Sequence, residues 1–598
     1  MIVGRAAGFG MAEFRVDPAR RSIVGPHGAS RVEPRVMDVL VALARRAPSP
    51  VTRDELIDQV WGGAFVTDGV LTRCISILRE RLGDERGRPR FIETLAKHGY
   101  RLIAPVTFVD DEAPVSAAMT TTALDSARTA IPIVVLPFVN LRGDAADEHL
   151  SDGLTELLTA SLAGVASLRV IARTSAMAYK RTSKRIREIA ADLGVDYLVE
   201  GSVLGERGRV QVVVQLIDAR TELHVWAQIY TRELRDVLTL LNEVARAIAN
   251  AMSVRLRPSE GARLGRRVAI DEPALQHYLK GRYFWAQRGA DPVRRAIAEF
   301  AACASVAPDF APAHIGLADS QILLAMYGIE APLAVAAPAR EHLARALALD
   351  PDSPEALTAQ GATRLFFDWD LDGAERAFAR ALAMNPSYTN THLGYGDLLM
   401  MHGEFDRGLE LIRDAVKLSP LDLGLNMNVG DFLIFARRFN EAVRHLEHLM
   451  EMDPRFVPGR LRLAEALALE MRHDAALTHA ETALAAAPSL PRVRETHALV
   501  LAAAGRQDEA RGELAVLAQV RRERYVSAWE IARAFAIMGD ADEAIRWLHD
   551  AIAERAPMTL FAGIHPTLDP IRGDPRFPAI LSSIGLGPSG RQTAASQQ

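Results

Sequence analysis

Trp369, Gly403, Arg437, Met471, Gly505 and Gly539 stand 34 residues apart, and this period constrains the chain more than any other feature. GEFDRGLELI, RRFNEAVRHL, GRQDEARGEL and GDADEAIRWL start at four of these positions and are versions of one template. A second series keeps the step. Pro351, Pro386, Pro420, Pro454 and Pro488 close ALALDP, ALAMNP, AVKLSP, MEMDP and ALAAAP, spaced 35, 34, 34 and 34. Such a period describes helix–turn–helix units that bury their apolar faces by stacking on one another. The phasing predicts about eight helical pairs over residues 270–555. An earlier unit ends at Pro308, 43 residues before Pro351, and the extra nine are assigned to a longer loop near YGIEAPLAVAAPA. PTLDPIRGDPRFPAIL reads as a capping helix in a 556–598 segment that ends in a disordered tail.

With Ala and Gly at close-approach positions and Pro after each second helix, the pattern is similar to the tetratricopeptide repeat (TPR) signature. That resemblance implies a superhelix whose concave surface binds a protein or peptide, or mediates self-association. Tyr283, Phe284 and Trp285 fall in a row within YLKGRYFWAQR. Helical spacing turns some of them inward, to dock the array on the region before it; a peptide contact is the alternative.

The N-terminal 105 residues differ in pattern and in charge. The chain carries −5, yet Met1–Pro105 holds 17 Lys+Arg against 12 Asp+Glu, a local +5. A basic end on an acidic chain points to nucleic acid. EFRV, RSIV and SRVE alternate as strands around the turns DPAR and GPHG. PRVMDVLVALARR, TRDELIDQVW and VTDGVLTRCISILRERLGD follow as helices, and RFIETL pairs with YRLIAPV around AKHG. In the third helix Leu71, Cys74, Ile75, Leu78 and Leu82 share one side, and Thr72, Arg73, Ser76, Arg79 and Glu80 the other. Thr67 or Asp68 caps it. Arg73 and Arg79 suit guanine edges or phosphates, Thr72 and Ser76 are short hydrogen-bonding neighbours, and Glu80 suits a cytosine amine or the rim. Lys97, His98 and Arg101 near the hairpin turn reach for the minor groove or backbone.

RVMDVLVAL, ELIDQVWG, VTDGVLTRCISILRERLGD and FIETLAKHGYRL closely resemble the OmpR/PhoB-type winged-helix DNA-binding domain. The resemblance adds Tyr100 to the contact set, implies two copies on a direct-repeat site, and implies that the Trp61–Asp68 loop (Gly62, Gly63, Thr67, Asp68) meets RNA polymerase. The sequence departs from the family at the wing. Thr94-Leu95-Ala96-Lys97-His98 stands where two-component members usually carry Thr-Val-Arg-Gly, so the wing arginine is missing. No receiver domain precedes the basic module, so activation by aspartyl phosphate is not expected.

Residues 106–130 are polar and unpatterned and read as a flexible linker. Residues 131–256 alternate strand and helix. IPIVVLPFVNLRGDAADEHLSDGLTELLTASLAGVASLRVIARTSAMAYK, REIAADLGVDYLVEGSV and QLIDARTELHVWAQIY resemble the TolB N-terminal-like domain of bacterial signalling proteins, where it links an effector domain, a winged helix or a nucleotide cyclase, to a TPR array. The expected fold class is therefore multidomain: a winged helix-turn-helix (α+β), a small α/β domain, then an all-α TPR superhelix.

Catalysis finds little support. Asp144, Asp147, Glu148, Asp152 and Glu156 cluster before and within the first helix of the α/β region, where acids suit the helix dipole. Gly205 and Gly208 make a hairpin turn, and GRAAGFG lacks a preceding strand, so neither is a phosphate loop. His445 and His448 lie one turn apart without a third ligand. Cys74 and Cys303 fall in apolar helical patterns and read as buried thiols. No catalytic residue, metal or cofactor is expected. IPIVVLPFV, with two prolines, is half the length a bilayer crossing needs, and the N-terminus lacks a secretory core, which places the chain in the cytoplasm. The expected activity is a one-component transcriptional regulator. A TPR scaffold whose winged helix contacts protein is the first alternative, and a signalling enzyme the second.

Overall fold

The computed structural model describes residues 9–12, 14–17, 22–25, 28–47, 49–61, 68–84, 89–95, 99–104, 106–108, 130–144, 148–206, 208–266 and 270–586. It forms two compact units, Met1–Pro114 and Val115–Gln598.

In the first unit the alternating segments close into one antiparallel sheet. Strands β1 (Phe9–Met11), β2 (Phe14–Asp17), β3 (Ser22–Gly25) and β4 (Gly28–Arg31) are joined at the β1 edge by β7 (Val106–Phe108), in the order β4-β3-β2-β1-β7. The β1 and β7 strands correct the sequence expectation. Val106–Phe108 is not linker, because it pairs residue for residue with β1. The remaining linker, 109–129, lies outside the described residues. Helices α1 (Pro34–Arg46), α2 (Arg53–Trp61) and α3 (Asp68–Leu82) pack on one core, followed by the hairpin of β5 (Ile92–Leu95) and β6 (Gly99–Leu102). Pro34 opens α1, where its missing N–H is harmless and its fixed φ suits a helix.

The second unit begins with a mixed sheet. Strands β8 (Ile131–Val135), β9 (Val139–Asn140), β10 (Leu168–Val170), β11 (Tyr197–Glu206), β12 (Arg209–Asp218) and β13 (His224–Glu233) run in the order β10-β8-β11-β12-β13, with β9 beside β11. The β10 and β11 strands are parallel to β8, and β11 to β13 form antiparallel hairpins. One face is covered by α4 (Glu148–Ala163) and α5 (Val237–Ala251), with Leu154, Leu158 and Leu162 of the first and Val237, Leu240, Leu241 and Val244 of the second buried.

From Glu272 to Ala553 sixteen helices form eight antiparallel pairs. The turn positions of the 34-residue period share one backbone geometry. Trp369, Gly403, Arg437, Met471, Gly505 and Gly539 all adopt φ between 59° and 77°. Glycine makes that geometry cheap at three of them, while Trp369, Arg437 and Met471 adopt it because the repeat imposes it. The extra residues before Pro351 do not form a loop as expected. They mostly lengthen two helices, Ala311–Met326 and Pro332–Leu349, the second of which tolerates Pro338 in its interior. After the last pair, two short 3-10 turns and helix Phe577–Ser583 cover the final apolar face, with Phe561, Leu568, Ile571 and Phe577 buried. The tail from 587 onward lies outside the described residues.

The α/β region and the array lie in one compact unit. They share one apolar core in which Leu154 and Leu158 of α4 meet Leu275, Tyr278 and Leu279 of the first helical pair. Gly153 permits the approach: a Cβ there would lie 2.5 Å from the Leu279 side chain. Trp285 is buried in the same core, as expected of the aromatic row, whereas Tyr283 is 38% exposed. A second contact ties the β10 end to the array. The Ala172 amide donates to the Leu418 carbonyl at 2.7 Å, and the Leu421 amide donates to the Ser175 hydroxyl at 2.9 Å.

Three acids of the α4 cluster have cationic partners. Glu148 and Asp152 each lie 2.6 Å from Lys180, and Glu156 bonds Arg282 with Arg173 nearby. Asp147 lies outside the described residues.

Candidate nucleic-acid interface

Helix α3 divides as its periodicity predicts. Leu71, Cys74, Ile75, Leu78 and Leu82 are at most 5% exposed, whereas Thr72, Arg73, Ser76 and Glu80 are exposed. Burial pushes the Cys74 thiol up, which suits an inert core cysteine. Burial likewise pushes Cys303 up to about 12. On the outer face, the Ser76 hydroxyl donates to the Thr72 carbonyl at 3.0 Å, leaving oxygen lone pairs toward solvent. Arg73 is exposed and forms no ion pair with any described residue.

Arg79, expected to grip guanine edges or phosphates, has partners within the domain. Its Nη2 donates to the Ile92 carbonyl and to the Thr94 hydroxyl, both at 2.8 Å, so it braces α3 against the β5–β6 hairpin. The hairpin is fixed at two further points. Asp84, just beyond α3, accepts from the amides of Arg90 at 2.5 Å and Ile92 at 2.7 Å. Val51 and Tyr100 exchange backbone hydrogen bonds at 2.8 and 3.0 Å. Gly99 makes this second junction possible. Its φ is +118°, and a Cβ would fall 2.1 Å from the Val51 carbonyl oxygen.

Two further residues of the expected contact set have partners within the domain. Tyr100 is 3% exposed and serves the core, with Arg53 5.6 Å from its ring centroid. Arg101 is half-buried and paired with Glu93 across the hairpin at 2.5 Å, so its charge is largely neutralised locally. Lys97 and His98, and Gly62, Gly63 and Thr67 of the expected polymerase loop, lie outside the described residues; Asp68 is described only as the first residue of α3. Sequence reasoning missed Asp84 and Gly99 as the residues that set the hairpin. The Leu82-Gly83-Asp84 helix ending and the Gly-Tyr step were the available signals.

Residues 28–102 match the family model described as transcriptional regulatory protein, C terminal. The N-terminal domain is an OmpR/PhoB-type winged helix. The helix–turn–helix is therefore α2–α3, and the β5–β6 hairpin is the wing. The chain is 26% identical over 392 residues to the transcriptional regulator HilA of Salmonella typhimurium, spanning 65% of this chain and 66% of that one. It is 36% identical over 185 residues to putative adenylate cyclase 3 of Rhizobium meliloti, 31% and 32% of the two chains. The solved DNA-binding domain of E. coli CadC is 35% identical, with a TM-score of 0.16, covering 18% of this chain and 99% of that one. The chain thus spans about a third of one curated relative and about two thirds of another.

Among the described residues no group of three His, Cys, Asp or Glu is placed to hold a metal ion, and no helix is long and apolar enough to cross a membrane. His445 Nε2 donates to the Asn426 carbonyl at 2.9 Å, and His448 pairs with Glu451 at 3.0 Å, so the two face different partners.

Proposed function

We propose that this chain is a cytoplasmic one-component transcriptional regulator. Its winged helix reads promoter DNA, and the α/β region and TPR array receive a protein signal. The observation that carries this reading is the outer face of α3, where Thr72, Arg73 and Ser76 are exposed on a helix fixed to its wing by Arg79 and Asp84. An exposed, rigidly presented cation with short hydrogen-bonding neighbours is what major-groove readout requires. Phosphate contacts supply most of the affinity, and Lys97 and His98 of the wing belong to that set. Two copies bind a direct repeat, and the Trp61–Asp68 loop contacts RNA polymerase. A salt-sensitive gel shift on the DNA upstream of its own coding sequence tests the reading. Binding that weakens on Arg73→Ala supports it; no binding at any salt favours a scaffold.

The likeness to a putative cyclase raises an enzymatic reading. It covers 32% of that protein, and the N-terminal effector position here is held by the winged helix. We read the shared stretch as accessory, and the chain as lacking an enzymatic activity of its own. Nucleotide turnover by the purified full chain would reverse this.

A further inference from the structure

The first helices of the TPR pairs line a groove of about 2690 Å³, closed at its N-terminal end by α4 and the segment after β10. The chemistry of its floor changes along its length. At the closed end, Glu156 is satisfied by Arg282 and Arg173. Beyond it the groove is lined by the carboxylates Asp397, Asp431, Glu495 and Glu530 and the guanidinium groups Arg462 and Arg492, with the buried Glu465 and Arg533 bonded to that set.

All three cations are committed. Arg462 lies 2.9 Å from Asp431 and 2.8 Å from Glu465. Arg533, 2% exposed, bonds Glu465 and lies 2.5 Å from Glu530, and Arg492 stands 4.0 Å from Glu530. Asp397 and Glu495 are left over. Neither has a hydrogen bond or ion pair with any described residue, and Glu495 is only 7% exposed while facing the groove. Burial, then repulsion from Asp431, pushes the Asp397 carboxyl well above the usual range. Burial, then Glu530, pushes Glu495 up to about 8 despite Arg492, Arg533 and Arg462 nearby. A buried carboxylate without a partner is costly, and a second cation relieves that cost.

We propose that this open part of the groove binds an extended segment of a partner protein carrying two Lys or Arg side chains, one seated between Asp397 and Asp431 and the other on Glu495. The assignment rests on the reading of the array as a protein receptor and names the chemistry it selects. Asp397 and Asp431 are 34 residues apart and so occupy the same position on successive first helices. Glu495 lies two repeats further on, one helical turn before that position. With neighbouring helices about 8–10 Å apart, the two seats are separated by roughly 20–25 Å. An extended chain covers that distance in about six to eight residues. Met427, Leu461 and Phe561 between the seats give the intervening residues an apolar floor.

The test uses the full chain and fluorescent peptides of about twelve residues with Arg, Gln or Glu at two positions about seven apart. Anisotropy is read at about 50 and about 300 mM salt, and the gel shift is run on the same preparations. The Arg peptide should bind about tenfold tighter than the Gln peptide, and the Glu peptide weakest. Asp397→Asn together with Glu495→Gln should abolish that preference without changing DNA binding. Equal binding of all three peptides, or a preference that survives both substitutions, overturns the cation assignment while leaving the array a receptor. Binding of none of the peptides overturns it too. Loss of DNA binding in the unsubstituted chain would instead count against the regulator reading.

Discussion

Arg79 of the recognition helix donates to the Thr94 hydroxyl of the wing at 2.8 Å, and the same nitrogen reaches the Ile92 carbonyl at the same distance. The helix and the wing are thereby braced against each other. Arg79→Ala removes a charged hydrogen-bond donor worth about 1.5–3 kcal/mol and frees the wing. It should lower both the melting temperature of the N-terminal unit and its DNA affinity. Arg73→Ala, by contrast, should weaken DNA binding and reduce the salt dependence by about one unit of slope, with the melting temperature unchanged. Thermal melts beside gel shifts at several salt concentrations separate the two roles.

Gly99→Ala tests the other wing junction. The added Cβ would meet the Val51 carbonyl and adopt a positive φ, so the bridge between Val51 and Tyr100 must open. The unit should lose at least about 2 kcal/mol in urea titrations, since strain and lost backbone hydrogen bonds add. A variant as stable as the parent would show that Gly99 is not structurally required.

The helices of this domain were legible in the sequence because each carries its own record: an apolar stripe, a proline at the start of α1, a glycine after α3. The roles of Arg79 and Tyr100 were not, because they depend on where the wing lands. An arginine on the polar face of a helix looks the same whether it faces DNA or a neighbouring strand. The same limit hid which residues of the α/β region meet the array, although the aromatic row at Trp285 signalled that the two dock. Leu154 and Leu275 each announce an apolar face, but neither says that the other covers it. The groove falls between these cases: the period aligns Asp397 with Asp431, yet only packing shows that Asp397 lacks a cation.

Glu156 holds that junction together electrostatically. Burial by itself would raise its carboxyl, but Arg282 and Arg173 outweigh burial and set it below the usual value. A carboxyl depressed in the folded state stabilises above its unfolded pKa and loses that contribution as pH falls through the folded one. Glu156→Gln should therefore destabilise the second unit at pH 7, leaving Arg282 and Arg173 without their counter-charge, and the difference from the parent should shrink below about pH 4. Calorimetry across pH 3 to 7 measures both.

Glu495 works in the opposite sense. Burial pushes its carboxyl up to about 8, so the folded chain holds a proton there that the unfolded chain has released above about pH 4.5. Between those two values the native state binds more protons than the unfolded one, and stability falls as pH rises. Burial alone would raise the Glu530 carboxyl beside it, but Arg533, Arg492 and Arg462 outweigh burial and hold it below the usual range, so the proton stays on Glu495 while Glu530 is ionised. Glu495→Gln keeps the shape and removes the titration. It should raise the melting temperature of the second unit at pH 8, change it little at pH 5, and flatten the profile between. A substitution that destabilised the unit at pH 8 would mean that the Glu495 carboxylate is already paired in the folded chain, and the groove would then have no vacant seat for a cation at that position.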